Sequence, residues 1–256
     1  MHNYTTFIRK EFTENMRTKR LLVLGCVFLL FGITGALLAR YMGEFMAMVL
    51  PAGDELGQAM IDAMPDPHWS DSYVQFYSQL SQIGIFAVLF MYMGTVQREI
   101  KSGTANLMFS KGLGFAPFVL AKFTMGAIIV TFVTIVSALA TYLYAFMLFE
   151  EAGQIAHVLA GSLVFSLGAV MLLAVFLLCS SLTKSSAASG GFGIIGFFLL
   201  MLTGFHRLSP YNLLGQSVAI STGYFANSLL VNVILAVVVT ALALLLAVWR
   251  LKRAEG

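Results

Sequence analysis

Residues 123–148 read FTMGAIIVTFVTIVSALATYLYAFML, and this stretch decides the fold. It contains no Asp, Glu, Lys or Arg. A helix needs roughly 20 mostly apolar residues to cross a hydrocarbon core of about 30 Å, and this stretch exceeds that. Five more stretches are similar: Leu21–Ala39, Ser78–Val96, Ile155–Leu182, Ala187–Phe205 and Ser228–Trp249. They too lack Asp, Glu, Lys and Arg. The stretch Ser78–Val96 differs in that its apolar core begins only at Ile83, after Ser78, Gln79, Ser81 and Gln82. Those polar residues indicate a helix that starts among headgroups or faces protein. All six must be helices, because isolated strands would leave backbone groups unpaired in lipid and the chain lacks the alternation of a barrel.

Composition agrees. Of 256 residues, 59% are hydrophobic and 11% charged, with a mean hydropathy of +0.87. A soluble domain carries about 25% charged residues, so lipid must cover part of this apolar surface. The first apolar run follows a basic segment, as in a signal peptide. At 19 residues, with five spans after it, it reads as an uncleaved first span. Cys26 and Cys179 fall in apolar runs, form no CxxC pair and read as buried neutral thiols.

Lys and Arg set the orientation. With the N-terminus inside, Arg9, Lys10, Arg17, Lys19, Arg20, Arg98, Lys101, Lys111, Lys122, Lys184, Arg250, Lys252 and Arg253 are cytoplasmic. Only Arg40 and Arg207 fall outside, so the reverse topology is rejected. The expected fold is an all-α integral membrane protein, one domain of six transmembrane helices with both termini cytoplasmic.

The connecting regions complete this plan. In residues 3–20, Tyr4, Phe7, Ile8, Phe12 and Met16 share one face, and Arg9, Lys10, Thr13 and Arg17 take the other. This predicts an amphipathic helix in the cytoplasmic interface, or a positive-inside anchor that happens to be helical; both lie at the membrane surface. Residues 40–77 form an outer segment with a short helix over Leu56–Met64, stopped by Pro65-Asp66-Pro67. Ser70 or Asp71 is the expected cap of the next helix, and Trp69, Tyr73, Phe76 and Tyr77 an aromatic belt. Residues 97–122 are the main cytoplasmic loop: Gln97–Ser110 is helix-compatible, and Gly112-Leu113-Gly114 with Pro117 breaks it. Residues 206–227 form the last outer segment, with a turn at Leu208–Asn212 and an apolar stretch, Leu213–Ile220, too short to span. Ser185, Ser189 and Gly193 recur at four-residue spacing, which permits close helix packing within one subunit or across a dimer axis.

Several chemistries are missing from the sequence. There is no G-x-x-x-x-G-K-[ST] loop and no H-E-x-x-H, and His2, His68, His157 and His206 are scattered. The spans hold no Asp, Glu, Lys or Arg for ion coupling and no carboxylate pair for catalysis. If the chain transports something, its energy is expected from a partner.

The loop reads Gln97-Arg98-Glu99-Ile100-Lys101-Ser102-Gly103-Thr104-Ala105-Asn106-Leu107-Met108-Phe109-Ser110-Lys111. It resembles that of ABC-2-type transporter permease subunits: an acidic residue, then Gly-Thr, Leu and a Ser/Lys pair, with a Lys opening the third span. Glu99, Gly103, Thr104, Leu107, Ser110, Lys111 and Lys122 match. The start, Phe7-Ile8-Arg9-Lys10-Glu11-Phe12 with Arg17 and Arg20, is similar to the family's interface helix, and Ser209-Pro210-Tyr211-Asn212 to its last outer turn. The six-span plan covers the whole chain. Two positions depart from the pattern: Ile100-Lys101, where the family often has more acid, and Gly114-Phe115, where an Arg is common.

The resemblance implies a half-transporter in a prokaryotic cell (cytoplasmic) membrane. Two permease subunits, identical or different, would work with two cytoplasmic ATPase subunits that bind ATP and Mg. This chain would hold no cofactor or metal, catalyse nothing itself and bind no nucleic acid. The loop would be a coupling helix, with Glu99 and Lys101 as charged rim contacts, Gly103 permitting close approach or a kink, and Thr104 and Leu107 beside them. The second and fifth spans would line the path, offering Gln79, Gln82, Phe86, Phe90 and Tyr92, and Ser189, Phe192, Phe197 and Phe198. Such a path suits amphipathic or hydrophobic cargo: lipids, drugs or peptides. Two rival readings are a non-transporting anchor or sensor subunit, and an intramembrane enzyme, which the missing carboxylates and metal ligands disfavour.

Overall fold

The computed structural model describes residues 2–50, 55–110, 114–183 and 185–255. Within them, six helical segments are long and apolar enough to cross a membrane. Helix α1 (His2–Arg17) precedes α2 (Arg20–Val49). Helix α3 (Glu55–Asp62) is short. The second span is compound: α4 (Trp69–Gln79), a π turn (Leu80–Gly84), α5 (Ile85–Tyr92) and α6 (Thr95–Lys101). Helix α7 (Thr104–Ser110) leads to α8 (Phe115–Phe149) and α9 (Ile155–Leu182). Helix α10 (Ser186–Thr203), a 3₁₀ turn (Pro210–Asn212), α11 (Leu213–Ser221) and α12 (Leu229–Glu255) complete the chain.

Several boundaries differ from expectation. The first span runs to Val49, ten residues past Ala39, because nothing in 40–49 breaks a helix. The third begins at Phe115 rather than Phe123. Pro117 lies in its first turn, where a missing N–H breaks no hydrogen bond, so it opens the helix instead of ending a loop. The second begins at Trp69, capped by His68: Ser70 N–H donates to His68 Nδ1 (3.3 Å) and His68 N–H to Asp71 Oδ2 (2.9 Å). Asp71 thus serves the cap from the third helical position. Of the breaker Gly112-Leu113-Gly114, the first two lie outside the described residues, as do Lys111 and Lys184.

Helix α9 is the axis of the bundle and the most buried span. The helices meet at small residues. A Cβ at Gly32 of α2 would sit 2.6 Å from Ser137 O of α8, and one at Gly126 of α8 2.7 Å from Leu173 of α9. With lipid outside, close packing of this kind holds spans together better than any solvophobic force. Hydroxyls in the seams stay satisfied by their own helices: Thr134, Ser137 and Thr141 donate to carbonyls one turn back at 2.7–3.0 Å.

Two expectations about side chains fail. Tyr73, Phe76 and Tyr77 are not an aromatic belt; they are buried in the bundle, where Tyr73 OH donates to Ala152 O (2.8 Å) and Ser221 Oγ to Tyr77 OH (3.1 Å). Cys26 lies on the exposed face of α2, whereas Cys179 is buried as expected.

Candidate functional site

The site lies at the basic end, where α1, α6, α7 and the start of α8 converge. Its base is a break in the second span. Met93 is extended and Gly94 left-handed (φ 67°), so the helix stops and restarts. A β-carbon at Gly94 would strike Ser186 of α10. Two amides freed near the break find hydroxyls on neighbouring spans. Gly94 N–H donates to Ser189 Oγ and Val96 N–H to Ser180 Oγ, each at 3.2 Å. Arg98 donates back to the carbonyls of Gly94 and Met93, both at 3.3 Å. A break in a membrane helix persists only with such partners.

Beyond the break, α6 carries Glu99 into a buried ionic cluster. Lys122 Nζ, on an almost fully buried side chain of α8, reaches Glu99 Oε1 at 2.6 Å and Glu11 Oε1 at 2.8 Å. Lys10 Nζ reaches the same Glu99 oxygen at 2.7 Å and Glu14 at 3.4 Å. Arg20 closes the far side, donating to Asn15 Oδ1 at 3.3 Å. Three acids and three bases balance. Partial burial disfavours the Lys10 ammonium, but the Glu99 hydrogen bond and the charges of Glu99, Glu11 and Glu14 outweigh it and raise its pKa. The three carboxylates lie close enough to ligate a metal, but lysine ammoniums already occupy the space between them.

An aromatic clasp lies beside the ions. Phe7 of α1 and Phe109 of α7 both pack edge-on against Phe118 of α8, at 6.0 and 5.5 Å between centroids, and Phe109 also meets Phe115 at 4.3 Å. The hairpin α6–α7 is therefore keyed to α1 and α8 by charge and by rings together.

This placement corrects one expectation and details another. Glu99 is not a rim contact: it is 8% exposed and held by lysines of its own chain. The apolar face of α1 is split. Phe7 is buried and Tyr4 and Ile8 pack on the core, but Phe12 and Met16 are exposed, while Glu11 and Asn15 are buried. Glu11 turns inward to Lys122, and Phe12 and Met16 remain open for the membrane surface, as an interface helix requires. Lys101 and Ser102 are exposed at the tip, and Gly103 (φ 72°) makes a kink with open space where a side chain would stand. Thr104 Oγ1 pairs with Ser102 Oγ at 2.8 Å; the side chain of Leu107 lies outside the described residues.

The expected path residues divide. Ser189 is buried as the partner of Gly94, and Phe197 is buried against Phe86, 5.3 Å between rings, so these join α5 to α10. Gln79 accepts from Thr34 Oγ1 at 3.0 Å. Gln82, Phe90 and Phe192 are exposed. The small residues Ser189, Gly190 and Gly193 face Gly94, Met93 and Leu89, which makes their packing internal to the chain.

No family model matches the chain. It is similar to YxlG, an uncharacterized transmembrane protein of Bacillus subtilis (strain 168), at 25% identity over 187 residues, which is 73% of this chain and 70% of that one. Both are transmembrane proteins; this chain crosses the bilayer several times.

Proposed function

We propose that the chain is the membrane-spanning permease subunit of an ABC exporter in a prokaryotic cell membrane. It moves an amphipathic or hydrophobic cargo by alternating access, driven by separate ATPase subunits that bind ATP and Mg, and it works with a second permease subunit. One observation carries this reading beyond the loop's resemblance. The α6–α7 hairpin is stiffly joined to α1 and α8 by the buried ion cluster, yet divided from the rest of its own span at Gly94. A rigid hairpin beyond a break acts as a lever: force on the exposed tip at Lys101–Thr104 is delivered to α1 and α8, and bending falls at Met93–Gly94. The exposed faces of α5 and α10, with Phe90 and Phe192, then line the path against the second subunit.

The test is co-expression with the products of the neighbouring reading frames, among which an ATPase without membrane spans is expected. The chain and that ATPase should co-purify, and Gly103→Trp or Lys101→Glu at the open tip should lower vesicle-coupled ATP hydrolysis at least several-fold while the spans stay folded. Absence of any associated ATPase refutes the reading. Association without cargo movement would instead make the chain a non-transporting anchor or sensor subunit.

A further inference from the structure

The far end of the molecule holds a cleft unrelated to the hairpin. Helix α10 stops short of the outer end, and the chain turns inside the bundle. Leu213 and Leu214, at the foot of α11, lie against Gly168 of α9, whereas Gly223, past its top, lies against His157. Residues 157 to 168 of a helix span about 16 Å, so the foot of α11 is about half a hydrocarbon thickness below its top. The turn before it is at the same depth: Asn212 Nδ2 donates to His206 O (2.8 Å), and Thr203 pairs with Ser209 (2.7 Å). On the other side His206, Leu208, Ser209 and Pro210 share a space of about 320 Å³ with Leu235 and Val239, well inside the apolar run of α12.

Arg207 sits in this deep turn. It is exposed, and among the described residues it forms no ion pair. It faces a cleft of about 1010 Å³ between the turn, α11 and residues 226–228. No acidic residue lines the cleft. Its polar wall is His206, Asn212, Gln216, Asn227 and Ser228. Gln216 Nε2 donates to Ser228 Oγ (3.0 Å), which leaves its buried Oε1 with no donor. The apolar part includes Phe205, which is 92% exposed, and Leu208. A lone guanidinium at this depth is costly without an anion. The other outer arginine, Arg40, instead covers the ring of Phe149.

We propose that this cleft binds the phosphate headgroup of an anionic lipid from the outer leaflet. Arg207 pairs with the phosphate, Gln216 Oε1 accepts from a headgroup hydroxyl, and Phe205 and Leu208 pack on the acyl chain. The inference does not depend on the transport reading.

Native mass spectrometry of the full chain, released from micelles containing equal phosphatidylglycerol and phosphatidylcholine, tests it. One phosphatidylglycerol should be retained in preference. Arg207→Gln should weaken that retention about tenfold, the weight of one charge-assisted hydrogen bond; Arg40→Gln should leave it unchanged. Gly215→Trp provides a second arm, since Gly215 lines the cleft with nothing within 4 Å of its Cβ position; the indole should fill the cleft and displace the lipid with Arg207 intact. Equal retention of the two lipids, undiminished retention in both variants, or displacement by millimolar inorganic phosphate would overturn the proposal, the last by assigning the cleft to a small soluble anion.

Discussion

Lys122 and Arg207 are both cations within the span of the bundle, and their surroundings are opposite. Lys122 is sealed between Glu11 and Glu99, with its ammonium 5.1 Å from the ring of Phe118. Arg207 opens onto a cleft without an acidic neighbour. A buried charge must be compensated at once by its own chain, so the Lys122 cluster is a joint. A charge in an open polar cleft leaves that compensation to a visitor, so Arg207 marks a binding place. The difference shows which charges hold the protein together and which are free to meet something else.

The largest effect expected is that of Lys122→Met. It takes from Glu11 and Glu99 their buried partner and leaves them only the partly exposed Lys10, a loss of about 3–5 kcal/mol for a broken buried pair. The measurement is thermal unfolding in detergent. Replacing one acid and one base together, Glu99→Gln with Lys122→Met, should recover much of it, because Glu11 and Glu14 then still face Lys10, 3.4 Å from each, and Arg20; if Lys122→Met alone is silent, the joint is not one. Next comes Gly94→Ala. It forces a β-carbon into the left-handed region and against Ser186, costing about 1–3 kcal/mol. It should also loosen the hinge, seen as faster amide exchange at residues 93–98.

A smaller effect is expected where Lys10 titrates. Its folded pKa is raised, so its contribution is complete below the unfolded lysine value and is lost as pH climbs through the folded one. The unfolding midpoint should therefore fall from about pH 10 upward, and Lys10→Met should flatten that slope; an unchanged slope removes Lys10 from the joint. Smallest is Arg207→Gln, expected within about 0.5 kcal/mol of wild type in lipid-free detergent. A large loss there would make Arg207 a structural charge like Lys122 and erase the contrast.

Much of this was legible in the linear pattern. Six apolar runs, the bias of basic residues and the turn at Ser209-Pro210-Tyr211-Asn212 all follow from local composition. The break at Met93–Gly94 was not, because a glycine within an apolar run reads as ordinary helix; only Ser180 and Ser189, on other spans, make the broken backbone affordable. Nor could spacing reveal that Glu11 meets Lys122, 111 positions away. The same pairing turns Glu11 inward, while Phe12 and Met16 remain open for the membrane surface.

Sequence alone determined that this chain spans a bilayer, how many times it does so and which end is basic, because transfer into hydrocarbon depends on each segment's own residues. Tertiary structure decided which charges are sealed, where the second span bends and how deep Arg207 lies. Those depend on distances between helices far apart in the chain, and burial has no meaning until the neighbours are in place.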